Sequence, residues 1–183
     1  MRNSLIIIAF ASLFTSTTIL AQTTKVKVKE TENKTKTKTS MGTGMYTAKY
    51  SSSFQMGNSK YSAMVLGAWK AYDENKLENM EMGIADTATA ILADGTVIKG
   101  NKEFANALRA YRGGFSKVSS TVDAWLPVRS IDKKEDVVLI WGTETDTKAD
   151  GSTQQTELHE VWIFNKDGKL SFFKQYAGQN PKM

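Results

Sequence analysis

The 183-residue chain has no cysteine and a single histidine, His159. Without thiols there is no disulfide framework, no thiolate nucleophile and no cysteine-ligated zinc. Attachment of a lipid to a cysteine behind a cleaved leader is excluded as well. One histidine cannot build a two-histidine metal site, and no carboxylate cluster at ligand spacing accompanies it, so no metal is expected. There is no Gly-x-Ser-x-Gly nucleophile motif and no glycine-rich phosphate loop behind a strand, so no cofactor fingerprint is present. No uninterrupted apolar run reaches the ~20 residues of a membrane-spanning helix.

The N-terminus carries the three parts of a secretory signal peptide. Arg2 supplies the positive start, an apolar stretch runs from Leu5 to Leu20 with breaks at Ser12 and at 15–18, and Ala21 precedes Gln22 at a suitable cleavage point. Residues 1–21 are therefore expected to be a signal peptide rather than a stable membrane anchor, and the protein to be exported, either periplasmic or secreted. With a core and no disulfides, the remaining length suits one domain plus a tail.

The pI of 9.3 and net charge of +5 suggest nucleic acid until the charge is placed along the chain. Arg2 contributes one positive charge, and residues 22–44 hold six lysines against Glu30 and Glu32. Residues 45–183 therefore sum to zero, which leaves no electrostatic footprint for phosphate. The segment 22–44 alternates Lys and Thr with almost nothing apolar to bury. It is expected to be disordered, either a plain linker or a loose tether to an acidic surface.

From about residue 45 aromatic and methionine residues appear, and 45–183 is read as the folded domain. Residues 45–57 read as a lead-in on a sheet edge. Asn58 or Ser59 caps a helix to about Glu74, with Tyr61, Met64, Val65, Ala68, Trp69 and Tyr72 at threes and fours. A short second helix is expected from Leu77 to about Ile84. Residues 85–100 read as a strand pair around the Asp94-Gly95 turn. Asn101 caps a third helix to about Tyr111, stopped by Gly113-Gly114. Four strands follow: Val118–Ile131, Val137–Thr147, Thr153–Phe164 and Leu170–Tyr176. Helices on one face of a meandering sheet make an α+β domain, and a curved sheet over them encloses a natural ligand pocket.

The segments AWKAYDENKLENM, ADTATAILADGTVIKGNKEF and HEVWIFNKDGKLSFFKQY resemble, in that order, the SnoaL-like branch of the nuclear transport factor two-like superfamily. The resemblance covers about residues 53–180. It implies a cone-shaped, curved antiparallel sheet wrapped over about three helices, and a homodimer formed through the sheet. The superfamily holds isomerases, cyclases and dehydratases beside non-catalytic binders, so it decides fold better than function.

Ketosteroid isomerase, a member of that superfamily, uses a carboxylate base, a tyrosine and a protonated acid. Anchored on the ADTAT strand and the Phe-Asn-Lys-Asp-Gly turn, the base position falls on Leu92 and the tyrosine position at or near Ala68. Only the acid position holds a carboxylate, Glu160. Leucine cannot abstract a proton, so steroid isomerisation is not expected. Asp94 is two residues on, in an Asp-Gly turn where solvation is the simpler reading. Glu160 lies between Leu158 and Trp162 at period two. It either faces an apolar cone with a raised pKa, as a hydrogen-bond donor or general acid-base group, or pairs with a cation across the sheet. His159 then points to the other face. Asp86 and Asp73 read as local hydrogen-bonding residues at element ends, and Arg109 and Arg112 as solvated surface. The candidate ligand-binding residues are Trp69, Tyr72, Trp125, Trp162 and Phe173. Two functions follow: a binder of a small apolar or amphipathic ligand, or an acid-base enzyme in which Glu160, with Tyr72 or a water, acts on a carbonyl compound.

Overall fold

The structure is a computed structural model and describes residues 46–179. The predicted signal peptide 1–21 and linker 22–44 lie outside the described residues. Among the described residues no helix is long and apolar enough to cross a membrane.

The element order is β1 (Phe54–Met56), α1 (Ser59–Asp73), a 3₁₀ turn (Met80–Gly83), β2 (Ile84–Ile91), β3 (Val97–Lys99), α2 (Asn101–Arg112), β4 (Lys117–Ser130), β5 (Asp136–Thr147), β6 (Thr153–Phe164) and β7 (Leu170–Gln179). Helix α1 starts where expected: the Asn58 side chain accepts from the Lys60 amide at 2.9 Å. Tyr61, Val65 and Trp69, each four apart, form its buried stripe. Helix α2 buries Phe104, Ala105 and Arg112. Its cap is Gly100, at φ +97°, rather than Asn101, which is the first helical residue.

Two expectations are corrected. The described residues form two α-helices, not three, because the stretch predicted as a second helix makes only the 3₁₀ turn. Asn79 sits in the left-handed region at φ 59°, which breaks a helix running from Leu77, and Ile84 is already extended. The sheet is also mixed rather than purely antiparallel. Its order is β1-β4-β5-β6-β7-β2-β3, and β2 pairs with β7 in parallel. Three reversals from β4 bring β7 beside β2 running the same way, and apolar alternation carries no mark of strand direction.

Period two on β5 and β6 sends one set of side chains under both helices. Val138, Ile140, Phe164 and Val65 are buried there, and Tyr61 stacks on Phe164 at 4.6 Å between centroids. Each such large apolar side chain contributes about 1.5–3 kcal/mol, which supports a core with no disulfide. Gly142 permits the closest approach of helix and sheet. A Cβ there would overlap the Thr121 carbonyl and come within 2.9 Å of the Trp69 ring. Glycine on β5 thus lets the Trp69 indole approach the strand closely.

Candidate functional site

A cavity of about 360 Å³ opens between the two helices and the strands. Three cross-strand pairs make its sheet wall: Leu158 with Ala177, Glu160 with Gln175, and Trp162 with Phe173. Helix α1 adds Ala68, Trp69 and Tyr72, and α2 adds Phe104, Leu108 and Tyr111. The rings brace one another, with Phe173 5.3 Å from Phe104 and edge-on to Trp162 at 5.1 Å.

Glu160 is 5% exposed and organises this wall. Its Oε2 accepts from the Trp69 indole at 2.7 Å and the Trp162 indole at 3.0 Å, and its Oε1 accepts from the Gln175 amide at 3.0 Å. Among the described residues no cation pairs with it. Burial pushes the carboxyl up from its ordinary pKa, and the three N–H donors oppose that rise. Indole N–H groups can only donate, so Oε2 is an acceptor in either protonation state. Glu160 thereby sets the orientation of two aromatic walls at once.

A second acidic group, absent from the sequence reading, faces the same space. Glu144 on β5 lines the cavity, and its carboxyl is within hydrogen-bonding reach of Asp146. Burial, then the nearby charges of Asp146, Glu160 and Asp73, push Glu144 up to about 8. Burial also raises Asp146, against the hydrogen bond from Glu144 and the charge of Arg112. Asp146 is 2% exposed, and its Oδ1 accepts from no donor among the described residues. Around neutral pH Glu144 holds a proton that it shares with Asp146. The available signal was parity: Glu144 and Asp146 continue the inward series of Ile140 and Gly142.

Arg112, expected at the surface, is 4% exposed. Its guanidinium donates to the carbonyls of Tyr72 at 2.7 Å, Phe115 at 3.0 Å and Asp73 at 3.0 Å. It closes the C-terminal end of α1, where end carbonyls and the helix dipole call for a cation, and ties that end to the loop after α2. Burial of its charge follows from those three acceptors, which solvent would otherwise supply. Arg109 likewise binds the Leu77 carbonyl at 3.0 Å and Glu81.

Of the predicted ligand residues, Trp69, Tyr72, Trp162 and Phe173 line the cavity and Trp125 does not. Trp125 is 49% exposed. It sits on β4 opposite Ile140, beyond a register shift between Val122 and Ala124. Ala68 and Leu92, the positions matched to the isomerase tyrosine and base, both line the cavity, so the site lacks those two groups. Asp94 is at the lining too, but its carboxylate accepts from the Thr96 amide in the turn, which holds its pKa low. Asp73 accepts from the Ser120 amide and hydroxyl, and Asp86 from the Asn101 side chain. His159 lies on the opposite face, stacked between Trp141 at 4.7 Å and Tyr176 at 5.6 Å. Among the described residues no three His, Asp or Glu side chains are placed to hold a metal ion.

No protein-family model and no curated protein matches the sequence. Solved structures do match in fold. An NTF2-like protein of unknown function from Burkholderia pseudomallei is 16% identical, with TM-score 0.54, covering 66% of this chain and 92% of that one. An LEH-like epoxide hydrolase of M. tuberculosis is 15% identical, with TM-score 0.52, covering 63% and 80%. A Catenulispora acidiphila protein with a ketosteroid isomerase-like fold, in complex with trimethylamine, is 13% identical, with TM-score 0.50, covering 61% and 83%. The described residues therefore have the NTF2-like fold, which serves both enzymes and proteins without an assigned activity.

Proposed function

We propose that this chain is an exported SnoaL-like domain that binds a small apolar or amphipathic ligand in its cavity without transforming it. The observation that carries this reading is a cavity of about 360 Å³ walled by Trp69, Trp162, Phe104 and Phe173, with its polar groups held in place. Most of the wall is apolar and braced, as in preformed ligand sites. The positions matched to the isomerase base and tyrosine hold Leu92 and Ala68, which cannot do their chemistry. Export rests on the leader pattern of residues 1–21.

In this proposal the protein is a homodimer joined through the sheet face opposite the helices. The support is that this face carries Leu126, Trp141 and Tyr176, of which Leu126 and Tyr176 are exposed. Contiguous exposed apolar surface of this kind marks an association site.

Native mass spectrometry of the protein recovered after export tests the reading. The expected result is a chain beginning near Gln22, at twice the monomer mass, that carries or takes up a small organic molecule. A cavity that takes up no small aromatic probe at millimolar concentration would count decisively against the binding role.

One observation favours the acid-base enzyme as a second reading. Glu160 has its oxygens committed to three N–H donors. Glu144, protonated near neutral pH, is the group that can give up a proton to a bound carbonyl compound. Turnover of such a compound, lost in Glu144→Gln, would establish it.

A further inference from the structure

Apart from two tyrosines, the acid and base side chains that line the cavity are all carboxyl groups. They are Asp94, Glu144 and Glu160; no Lys, Arg or His is among the lining residues. The nearest buried cation, Arg112, has its N–H groups directed at three backbone carbonyls. Behind Glu144 lies Asp146, buried, with an oxygen that no donor among the described residues meets. An anionic ligand would enter beside these carboxyl groups with no compensating charge, at a large desolvation cost. A neutral ligand would leave the acidic end unanswered.

The walls offer the complementary feature. Trp69, Tyr72 and Trp162 line the same space, and Glu160 fixes the two indoles by accepting their N–H groups. That leaves the indole rings to contact a ligand, and ring faces attract cations. Low-dielectric walls also focus the field of the carboxylates into the cavity.

We propose that the ligand is an organic cation, a small amine or quaternary ammonium, whose charge lies by Glu144 and whose apolar body lies against Trp69 and Trp162. This rests on the binding reading above and names its ligand class. The groups that face Glu144 are Asp146 on its own strand, Glu160 on β6, Asp73 and Tyr72 on α1, and Tyr111 on α2, with Arg112 of α2 acting on Asp146. A cation favours the ionised form of Glu144, so binding below the Glu144 pKa of about 8 releases a proton. Affinity for a cation that does not itself titrate therefore rises with pH until Glu144 is ionised.

The experiment is isothermal titration of the exported protein with three probes of one shape class: benzyltrimethylammonium, benzyl alcohol and benzoate. At about pH 9 the cation is expected to bind at least about tenfold tighter than the alcohol, with benzoate weakest. Between about pH 9 and pH 6 the preference for the cation shrinks. In Glu144→Gln the preference is small at pH 9 already and no longer changes between pH 9 and pH 6. Benzyl alcohol or benzoate binding as tightly as the cation would overturn the charge assignment and leave the binding role standing. Binding of none of the three would overturn both.

Discussion

Replacing Glu144 by glutamine tests the electrostatics of the site through folding stability alone. Glu144 is pushed from its ordinary 4.5 to about 8 in the folded protein. Below about pH 4.5 the group is protonated in both folded and unfolded chains and contributes nothing. As pH rises, the unfolded chain loses the proton and the folded chain keeps it, so stability falls. The loss is complete once the pH has passed the folded value of about 8. Each tenfold change in proton affinity is worth about 1.4 kcal/mol, which sets an upper limit of about 5 kcal/mol for the penalty. Water in the open cavity screens part of this, and about 2–3 kcal/mol is the working expectation. Glutamine keeps the shape, can donate to Asp146 and never ionises. The variant should match the parent near pH 4 and be more stable by that amount near pH 9. Urea unfolding at several pH values, with unchanged denaturant slopes, is the assay. A difference between variant and parent that does not change with pH would refute the reasoning.

Glu160→Ala strands two indole N–H groups and the Gln175 amide. It should cost about 3 kcal/mol in urea unfolding, less where cavity water reaches the freed groups. Glu160→Gln keeps one acceptor for both indoles and should cost about 1 kcal/mol. Equal effects of the two would show that the shared acceptor is unimportant. Gly142→Ala drives a methyl group into the Trp69 ring and the Thr121 carbonyl. A loss of about 2–3 kcal/mol is expected, with a shift in tryptophan emission as the indole leaves Glu160. Unchanged stability and emission would mean that helix and strand can separate there freely.

The folded domain was legible in the sequence wherever periodicity was strong. The α1 stripe of Tyr61, Val65 and Trp69 and the long meander β4–β7 follow from spacing alone. The place of Glu160 between Leu158 and Trp162 left two readings, an inward carboxyl or a partner for a cation across the sheet, and the structure has it inward among three N–H donors. The rest was lost for identifiable reasons. Met80 and Ile84 mimic a helical stripe, but the left-handed turn at Asn79 depends on backbone geometry that composition does not reveal. Trp125 pairs with the inward Ile140, and periodicity within a strand does not tell which end of that face the cavity occupies. Arg112 was read as solvated because its partners are backbone carbonyls, which leave no trace in a side-chain pattern. Glu144 and Asp146 sit among threonines in a polar strand end, where inward and outward residues look alike. Only the neighbouring helices make one side of that strand dry.

The parallel pairing of β2 with β7 joins an early part of the cavity wall to the latest. Leu92, just beyond β2, enters the chain some eighty residues before Phe173, Gln175 and Ala177. Helices α1 and α2 can form locally, but the closure that makes a pocket is a long-range event. Until β7 is in place, Glu160 lacks Gln175 and Trp162 lacks Phe173, and the sheet ends in two unpaired edges. Pocket and fold are thus completed in one step. Any molecule that recognises the finished cavity recognises only chains that have been folded to their last strand.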